Sequence, residues 1–493
     1  MLTLALKELN TLLCINKSLL PSTKSPSFGG SLEERQGLAM NLESKTEQLL
    51  DYINQAGARH ADAIAIESVG ETVSVRHGKV ESIEGEHAQG IGLRGFVETA
   101  KGLAFASASS SDLSDAGLKK LASQVMDMAN ISEPDPDVVP PHGANYPSQQ
   151  EIGKWALTHP HIQHGWNLES AKVTALACEE AALSYSDKIS NSEGANAGFG
   201  DDKTVYASSD GFIATKNKSS ASLSASVIAG SGESMIRDYS WHSSLSASNL
   251  KSPQDIGQEA ASRACNRLGS KGISSRSCPV LFEPRIATSI VGHLLSAINA
   301  RSVLQKRSFL GDDVGSQLFP SFLSLEENPD HPQGLSNRLF DGEGTICKAK
   351  NIIEAGLLTT LLTDRYAAKR LGIAETGNAS RGLTGDMGIG TSNLIVSGGN
   401  MNQEEMLQDI KNGVFVTELM GFGINPVTGD YSRGAAGFLI ENGQLTQPVQ
   451  EVTIAGNLRD MFKNISHLGN DVTWFGSTAV PSMAISNMTI AGQ

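Results

Sequence analysis

At 493 residues, with 39% hydrophobic and 5% aromatic content and fifty glycines, the chain is long enough for two or three cores and reads as turn-rich and sheet-containing. A formal net charge of −14 and the lack of any basic run exclude a nucleic-acid surface, which needs clustered Lys and Arg. Five widely spaced cysteines (Cys14, Cys178, Cys265, Cys278 and Cys347) exclude a disulfide framework and a Cys-rich zinc site, and fit a reducing compartment.

No apolar run reaches the roughly 18 residues of a membrane helix. Residues 1–39 include the Ser/Pro/Gly-rich stretch 17–32 and make a poor secretory signal, so they read as a disordered N-terminal extension without a structural role. Leu42, Leu49, Leu50 and Ile53 predict an amphipathic helix over 42–56. From Ala61 to Ala108 the apolar period becomes two, with Gly70, Gly78, Gly85, Gly95 and Gly102 predicting breaks between short antiparallel strands. Ser111 or Asp112 caps a second helix ending near Ala129, with Leu118, Leu121, Ala122, Val125 and Met128 as its apolar face. Residues 40–130 thus form an N-terminal α+β domain.

Residues 131–165 carry Pro134, Pro136, Pro140, Pro141 and Pro147 and are expected to form a connecting segment without helix or central strand. A middle α+β region, 166–270, holds a helix from Asn167 to Tyr185, strands between Ile189 and Ser248, and a helix over 252–268. The C-terminal, β-rich region, 271–493, begins with a strand at 278–283 and a helix from Pro284 to about Leu304. Further helices are expected near 363–371, 403–412 and 457–464. The predicted class is α+β: two domains of antiparallel sheets with packed helices.

Three motifs resemble sites in letters but not in context. Gly90-Ile91-Gly92-Leu93-Arg94-Gly95 matches a dinucleotide fingerprint in letters, but it lies between polar residues and a continuing strand rather than opening a helix. His159, His161 and His164 surround Pro160, so helical ligand spacing is unavailable and a solvated loop is expected, with zinc the alternative. His331 beside Glu326, Glu327 and Asp330 reads as an exposed turn rather than a cation site.

The most informative stretch is 413–469. Val414 to Leu419 predicts a strand, Gly421 and Gly423 open the backbone, and Pro426 to Asp430 is turn chemistry. Tyr431-Ser432-Arg433-Gly434-Ala435-Ala436-Gly437 is nearly all small residues around one aromatic and one cation. A strand then starts at Phe438 and ends in the Asn442-Gly443 hairpin signal. This stretch resembles the C-terminal signature of the PmbA/TldE branch of the bacterial TldD/PmbA metallopeptidase family. Arg307-Ser308-Phe309-Leu310, Phe340-Asp341-Gly342-Glu343-Gly344, Leu362-Thr363-Asp364-Arg365-Tyr366 and the terminal Ile490-Ala491-Gly492-Gln493 extend the resemblance over about 41–493.

In TldD-like members the helix matching 284–304 carries His-Glu-x-x-x-His, and a Cys near the C-terminus completes a zinc site. Here Gly292, His293 and Ala297 stand in one register, and His293, Leu294 and Ile298 in the other; the Gly476-Ser477-Thr478 region has no Cys. The resemblance therefore implies no metal or other cofactor in this chain and no catalytic residue of its own, with His293 a core or interface histidine and zinc held by a TldD-like partner. It implies a non-catalytic subunit of a cytoplasmic TldD/PmbA-type peptidase, pairing with a TldD-like catalytic subunit as heterodimer or with itself as homodimer. Such a subunit would complete a closed chamber in which unfolded peptides and peptide precursors are cut, with no nucleic acid or membrane as partner. Gly421, Gly423, Asp430, Tyr431, Ser432, Arg433 and Gly434 are the candidate peptide-binding residues. Small residues let a backbone approach, β-addition supplies hydrogen bonds, and Arg433 suits a carboxylate. The competing reading of the same residues is an Asp430–Arg433 ion pair bracing a tight turn. Two other functions remain open: a metal-independent binding regulator acting on gyrase or a toxin–antitoxin system, and a stand-alone peptidase with a site near His159–His164.

Overall fold

The computed structural model describes residues 41–383 and 387–492. The extension 1–39 and the terminal Gln493 lie outside the described residues.

One six-stranded antiparallel sheet is built from strands within residues 60–244: β1 (His60–Arg76), β2 (Lys79–Thr99), β3 (Gly102–Ser110), β4 (Ile189–Ser208), β5 (Ile213–Ala229) and β6 (Ile236–Ser244). Their spatial order is β3-β2-β1-β4-β5-β6. The N-terminal region and the middle region therefore share one sheet, joined where Asp62–Val75 of β1 pairs with Ala195–Ser208 of β4. The strands are long rather than short. Gly70, Gly85 and Gly95 sit inside them, and only Gly78 and Gly102, at φ +70° and +123°, lie at turns. Gly95 is a packing position: a Cβ there would come 2.5 Å from Ile53 Cδ1 and 3.0 Å from Val125 Cγ1.

Helices cover one face of this sheet in two pairs. Leu42, Leu49 and Ile53 of α1 (Leu42–Gln55) and Leu118, Leu121 and Val125 of α2 (Asp115–Ile131) pack on Ala63, Ala65, Ile91 and Leu93. The true cap of α2 is Ser114, whose hydroxyl accepts the Gly117 N–H, rather than Ser111 or Asp112; the Asp112 carboxylate instead accepts the Ser114 N–H at 3.0 Å in the preceding turn. The connecting segment contains a helix, α3 (Gln149–Thr158). All five prolines precede it, and Ser148 and Glu151 form a reciprocal capping box. Further along, α4 (Leu168–Leu183) and α5 (Pro253–Asn266) bury Ala171, Ala175, Ala182, Ala260 and Ala264 over Val73, Val75 and Leu223. Gly257 lets these helices touch: a Cβ there would lie 2.3 Å from the Cys178 carbonyl oxygen.

The remaining strands are β7 (Arg276–Phe282), β8 (Leu325–Asn328), β9 (Lys350–Glu354), β10 (Leu357–Leu358), β11 (Ala379–Arg381), β12 (Met387–Ile389), β13 (Asn393–Val396), β14 (Gly413–Met420), β15 (Asp430–Glu441), β16 (Gln444–Asn457), β17 (Ile465–Leu468), β18 (Thr473–Phe475), β19 (Thr478–Val480) and β20 (Met483–Ala491). They form two six-stranded sheets, β16-β15-β14-β7-β20-β17 and β10-β9-β8-β13-β19-β18, and the pair β11–β12. Pairing is antiparallel except at β7–β14 and β13–β19. The expected helix 284–304 is two helices, α6 (Pro284–Ala297) and α7 (Ala300–Leu304). The break follows from Asn299, whose side chain accepts the N–H groups of Arg301 and Ser302 and so starts a new helix. Short helices α8 (Arg365–Leu371), α9 (Gln403–Ile410) and α10 (Leu458–Lys463) lie within the three expected regions. The GxGxxG letters fall in mid-β2, paired on both sides.

Candidate functional site

Helix α6 leaves β7 at Glu283, and both ends of that junction are tied to the first sheet and its helices. The Glu283 carboxylate accepts Arg263 Nη1 at 3.0 Å and Nη2 at 2.8 Å, and Arg285 lies 4.7 Å over the Tyr239 ring while donating to the Tyr239 carbonyl. This anchoring sets the helix face that a metal motif would occupy. On it, Gly292 is exposed, with no atom within 4 Å of where a Cβ would stand. Ala297 is 4% exposed and part of the core, as are Leu294 and Ile298 of the alternative register.

His293 faces β15. Its ring lies 5.8 Å from that of Tyr431, edge-on at 71°. The imidazole Nε2 is buried and makes no hydrogen bond. Burial, reinforced by the Arg433 cation, pushes the His293 pKa down to about 4, so the ring is neutral at physiological pH. Tyr431 is 1% exposed, its hydroxyl buried without a partner. Burial, opposed by Arg433, pushes that phenol up to about 12.

These residues do not fit zinc. Gly292 offers no donor and Ala297 only a buried methyl. His293 has a guanidinium for an electrostatic neighbour, which repels a divalent cation. The third position is no better: β18 and β19 pack against α6, but the turn between them is Gly476-Ser477, with Gly476 at φ +60°, and carries no thiol. Among the described residues no group of three His, Cys, Asp or Glu is placed to hold a metal ion.

The signature residues are more ordered than their composition suggests. Strand β15 begins at Asp430, eight residues before the expected start at Phe438, because Tyr431 to Gly434 pair with Gly456 to Thr453. Side chains alternate along a strand, so Tyr431 and Arg433 share the inner side while Asp430 and Ser432 are exposed. That alternation excludes the Asp430–Arg433 brace. Asp430 instead accepts the Thr428 hydroxyl at 2.6 Å and Asn457 Nδ2 at 3.3 Å. The Arg433 Nε has no hydrogen-bond partner. Gly421, at φ +74°, is open on all sides. Gly423 meets its own chain: a Cβ there would fall 1.6 Å from the Ser432 carbonyl oxygen, and Gly423 accepts the Ser432 N–H at 2.6 Å. A Cβ on Gly434 would stand 3.3 Å from Met420 Cβ. Phe422, between the two hairpin glycines, is 81% exposed.

The histidine cluster is divided: His159 turns to Asp330, whereas His161 and His164 share Asp201. His159 ends α3, stacks on Trp155 at 3.7 Å and contacts Asp330 through Nε2 at 2.8 Å. His161 and His164 lie 3.4 and 3.6 Å from the Asp201 oxygens, and His161 also contacts Ser219 at 2.8 Å. His331 packs on Trp474, whereas Glu327 is buried against Lys350 and Asn378 and Glu326 accepts from Asn328. The cluster fastens the connecting segment to its neighbours.

Sequence reasoning missed a buried charge network between the first sheet and the C-terminal region. Asp62 of β1 accepts Arg94 Nε of β2 at 2.9 Å and a second bond from Arg381 of β11. Arg94 also lies 3.4 Å from Glu343, whose carboxylate accepts the Arg365 backbone N–H at 2.9 Å. Burial would raise the Asp62 pKa, but Arg381 and Arg94 outweigh it and hold the carboxylate ionised. Glu343 goes the other way: burial outweighs Arg94 and Arg365 and pushes it up to about 7. The only signal was the four charged letters inside Phe340–Gly344 and Leu362–Tyr366; Glu343 meets Arg94 across 249 positions, and Asp62 meets Arg381 across 319.

Known proteins match this arrangement over most of its length. Residues 61–129 match the PmbA/TldA metallopeptidase domain 1, 164–268 the central domain and 275–492 the C-terminal domain. The Metalloprotease PmbA of Escherichia coli O157:H7 is 35% identical over 435 residues, 88% of this chain and 92% of that protein. A Metalloprotease PmbA homolog of Haemophilus influenzae is 32% identical over 466 residues, covering 93% and 96%. Among solved structures, a Bacteroides thetaiotaomicron protein described as a candidate modulator of DNA gyrase superposes with TM-score 0.81 at 26% identity, covering 91% of this chain and 98% of that one. TldE from Thermococcus kodakarensis shares the fold, with TM-score 0.78 at 20% identity over 91% and 100%.

Proposed function

The chain belongs to the PmbA/TldD metallopeptidase family, and on that premise we propose that it acts as a non-catalytic subunit of a cytoplasmic peptidase complex. The observation that carries this reading is the helix face of α6: Gly292, a neutral His293 beside Arg433, and a buried Ala297 stand where a metallopeptidase of this type needs two imidazoles and a carboxylate. A TldD-like partner would then hold the zinc and activate the water, and this chain would complete the chamber around an unfolded peptide. Strand β15 and the hairpin before it supply the peptide-facing surface in this reading, with Arg433 holding a carboxylate or carbonyl oxygen and Gly421 leaving room for a backbone. No helix among the described residues is long and apolar enough to cross a membrane, which is compatible with a cytoplasmic setting.

The test is reconstitution with a TldD-like protein from the same genome, reading complex formation and cleavage of an unfolded peptide on one preparation. Cleavage should require both chains, survive His293→Ala in this chain, and slow with Arg433→Ala while the complex stays intact. Loss of cleavage in a folded His293→Ala complex would assign that residue a catalytic role and end the proposal.

A further inference from the structure

A cleft of about 660 Å³ opens between the connecting segment and α8, within the size range of small-molecule sites. It shares no residue with the α6–β15 region. In a chain of net charge −14 its wall holds Lys348, Lys350, Arg365 and Lys369 against a single acid, Glu375.

Most of these charges are already committed. Lys350 Nζ lies 2.9 Å from Glu327 and donates to the Thr376 carbonyl at 2.8 Å, and Lys369 donates to the Pro136 carbonyl. Glu375 accepts Asn145 Nδ2 and Thr345 Oγ1, each at 3.1 Å, and sits 3.8 Å from Arg365 Nε. Arg365 is 2% exposed, lies 5.4 Å over the Tyr146 ring and donates Nη2 to the Glu343 carbonyl at 2.9 Å. Its Nε and Nη1 make no hydrogen bond. A guanidinium fixed in a low-dielectric wall projects its charge further than one in water.

Lys348 differs from the rest. It is exposed, and among the described residues its ammonium makes no hydrogen bond or close ion pair, only a longer-range attraction to the Glu151 carboxylate. Next to it the wall turns apolar, with Val139, Ile346 and Ile373, the last 42% exposed. An exposed ammonium on the same wall as a buried guanidinium, beside an apolar surface, matches an anion with a hydrocarbon body. Glu375 would repel a dianion more strongly than a monoanion.

We propose that this cleft binds a small monocarboxylate carrying an apolar group, such as the C-terminus of a short apolar peptide. Lys348 pairs with the carboxylate, Arg365 supplies field without contact, and Ile346 and Ile373 hold the apolar group. The binding stands whether or not the chain is a non-catalytic subunit.

The experiment is calorimetric titration of the full chain with N-acetyl-Val-Leu bearing a free carboxylate, with its C-terminal amide, with acetate and with inorganic phosphate. The free carboxylate should bind, the amide and acetate should bind at least about tenfold more weakly, and Lys348→Glu should cost about tenfold, as loss of a charged hydrogen bond does. Lys348 is exposed, so that variant should fold; an unchanged melting temperature verifies it. Equal affinity for carboxylate and amide, wild-type affinity in Lys348→Glu, displacement by phosphate as effective as by the peptide, or no binding of the free carboxylate would each overturn the assignment.

Discussion

The His293 and Tyr431 rings meet in a T-shaped pair at a centroid distance of 5.8 Å, joining the helix that would carry a metal motif to the strand that carries the signature arginine. His293 has no hydrogen bond at Nε2, and its pKa of about 4 lies below the ordinary 6.5. The unfolded chain therefore takes up a proton that the folded chain refuses as pH falls from 6.5 toward 4, and stability is lost across that window. His293→Leu should keep the melting temperature at pH 7.5 within a few degrees and shrink its fall between pH 6.5 and 4.5. Thermal melts at intervals of half a pH unit measure both.

Glu343 should give the opposite slope. Its folded pKa of about 7 stands above the ordinary 4.5, so the folded chain binds the extra proton between those values. That contribution is complete below pH 4.5 and lost as pH rises through 7. Glu343→Gln should flatten the decline in melting temperature between pH 5 and 8, with little change at pH 5.

Asp62 is the acceptor on which two buried arginines depend. Removing one member of a buried ion pair leaves the other uncompensated, at a cost of about 3–5 kcal/mol. Asp62→Asn should lower the urea midpoint accordingly. Arg381 belongs to β11, outside the first sheet, so limited proteolysis of this variant should also cleave between the two regions faster than in the parent chain.

Two glycines of one hairpin should respond differently to the same methyl group. Gly421→Ala meets no atom but must hold φ +74°, an αL cost of about 1 kcal/mol. Gly423→Ala would drive Cβ into the Ser432 carbonyl oxygen and should cost about 3 kcal/mol by displacing β15. Denaturant midpoints of the two variants, measured side by side, decide this.

Local pattern carried much of the fold. The apolar faces of α1 and α2, the strand–helix step at β7–α6, and the hairpin at Asn442-Gly443 are written in consecutive residues. What stayed hidden depended on partners remote in sequence. Gly70 and Gly95 look like strand breakers until Gly200 is seen opposite the first and Ile53 above the second. The helix after Pro147 was hidden by the density of prolines, all five of which end before its Ser148 cap. At the candidate site, the substitutions at Gly292, His293 and Ala297 were legible as missing ligands. The approach of Arg433 to His293 was not, since it needs β15 to lie beside α6. The Asp430–Arg433 pair was wrong for the simplest reason: residues three apart on a strand face opposite ways.

A non-catalytic subunit must lack a peptidase centre of its own. The direct measurement is zinc content and cleavage of an unfolded peptide by the full chain purified without partner, with and without chelator. Zinc well below one per chain and no chelator-sensitive cleavage are predicted, since Gly292, His293 and Ala297 supply one imidazole beside a guanidinium. Stoichiometric zinc together with chelator-sensitive cleavage by the isolated chain would contradict it.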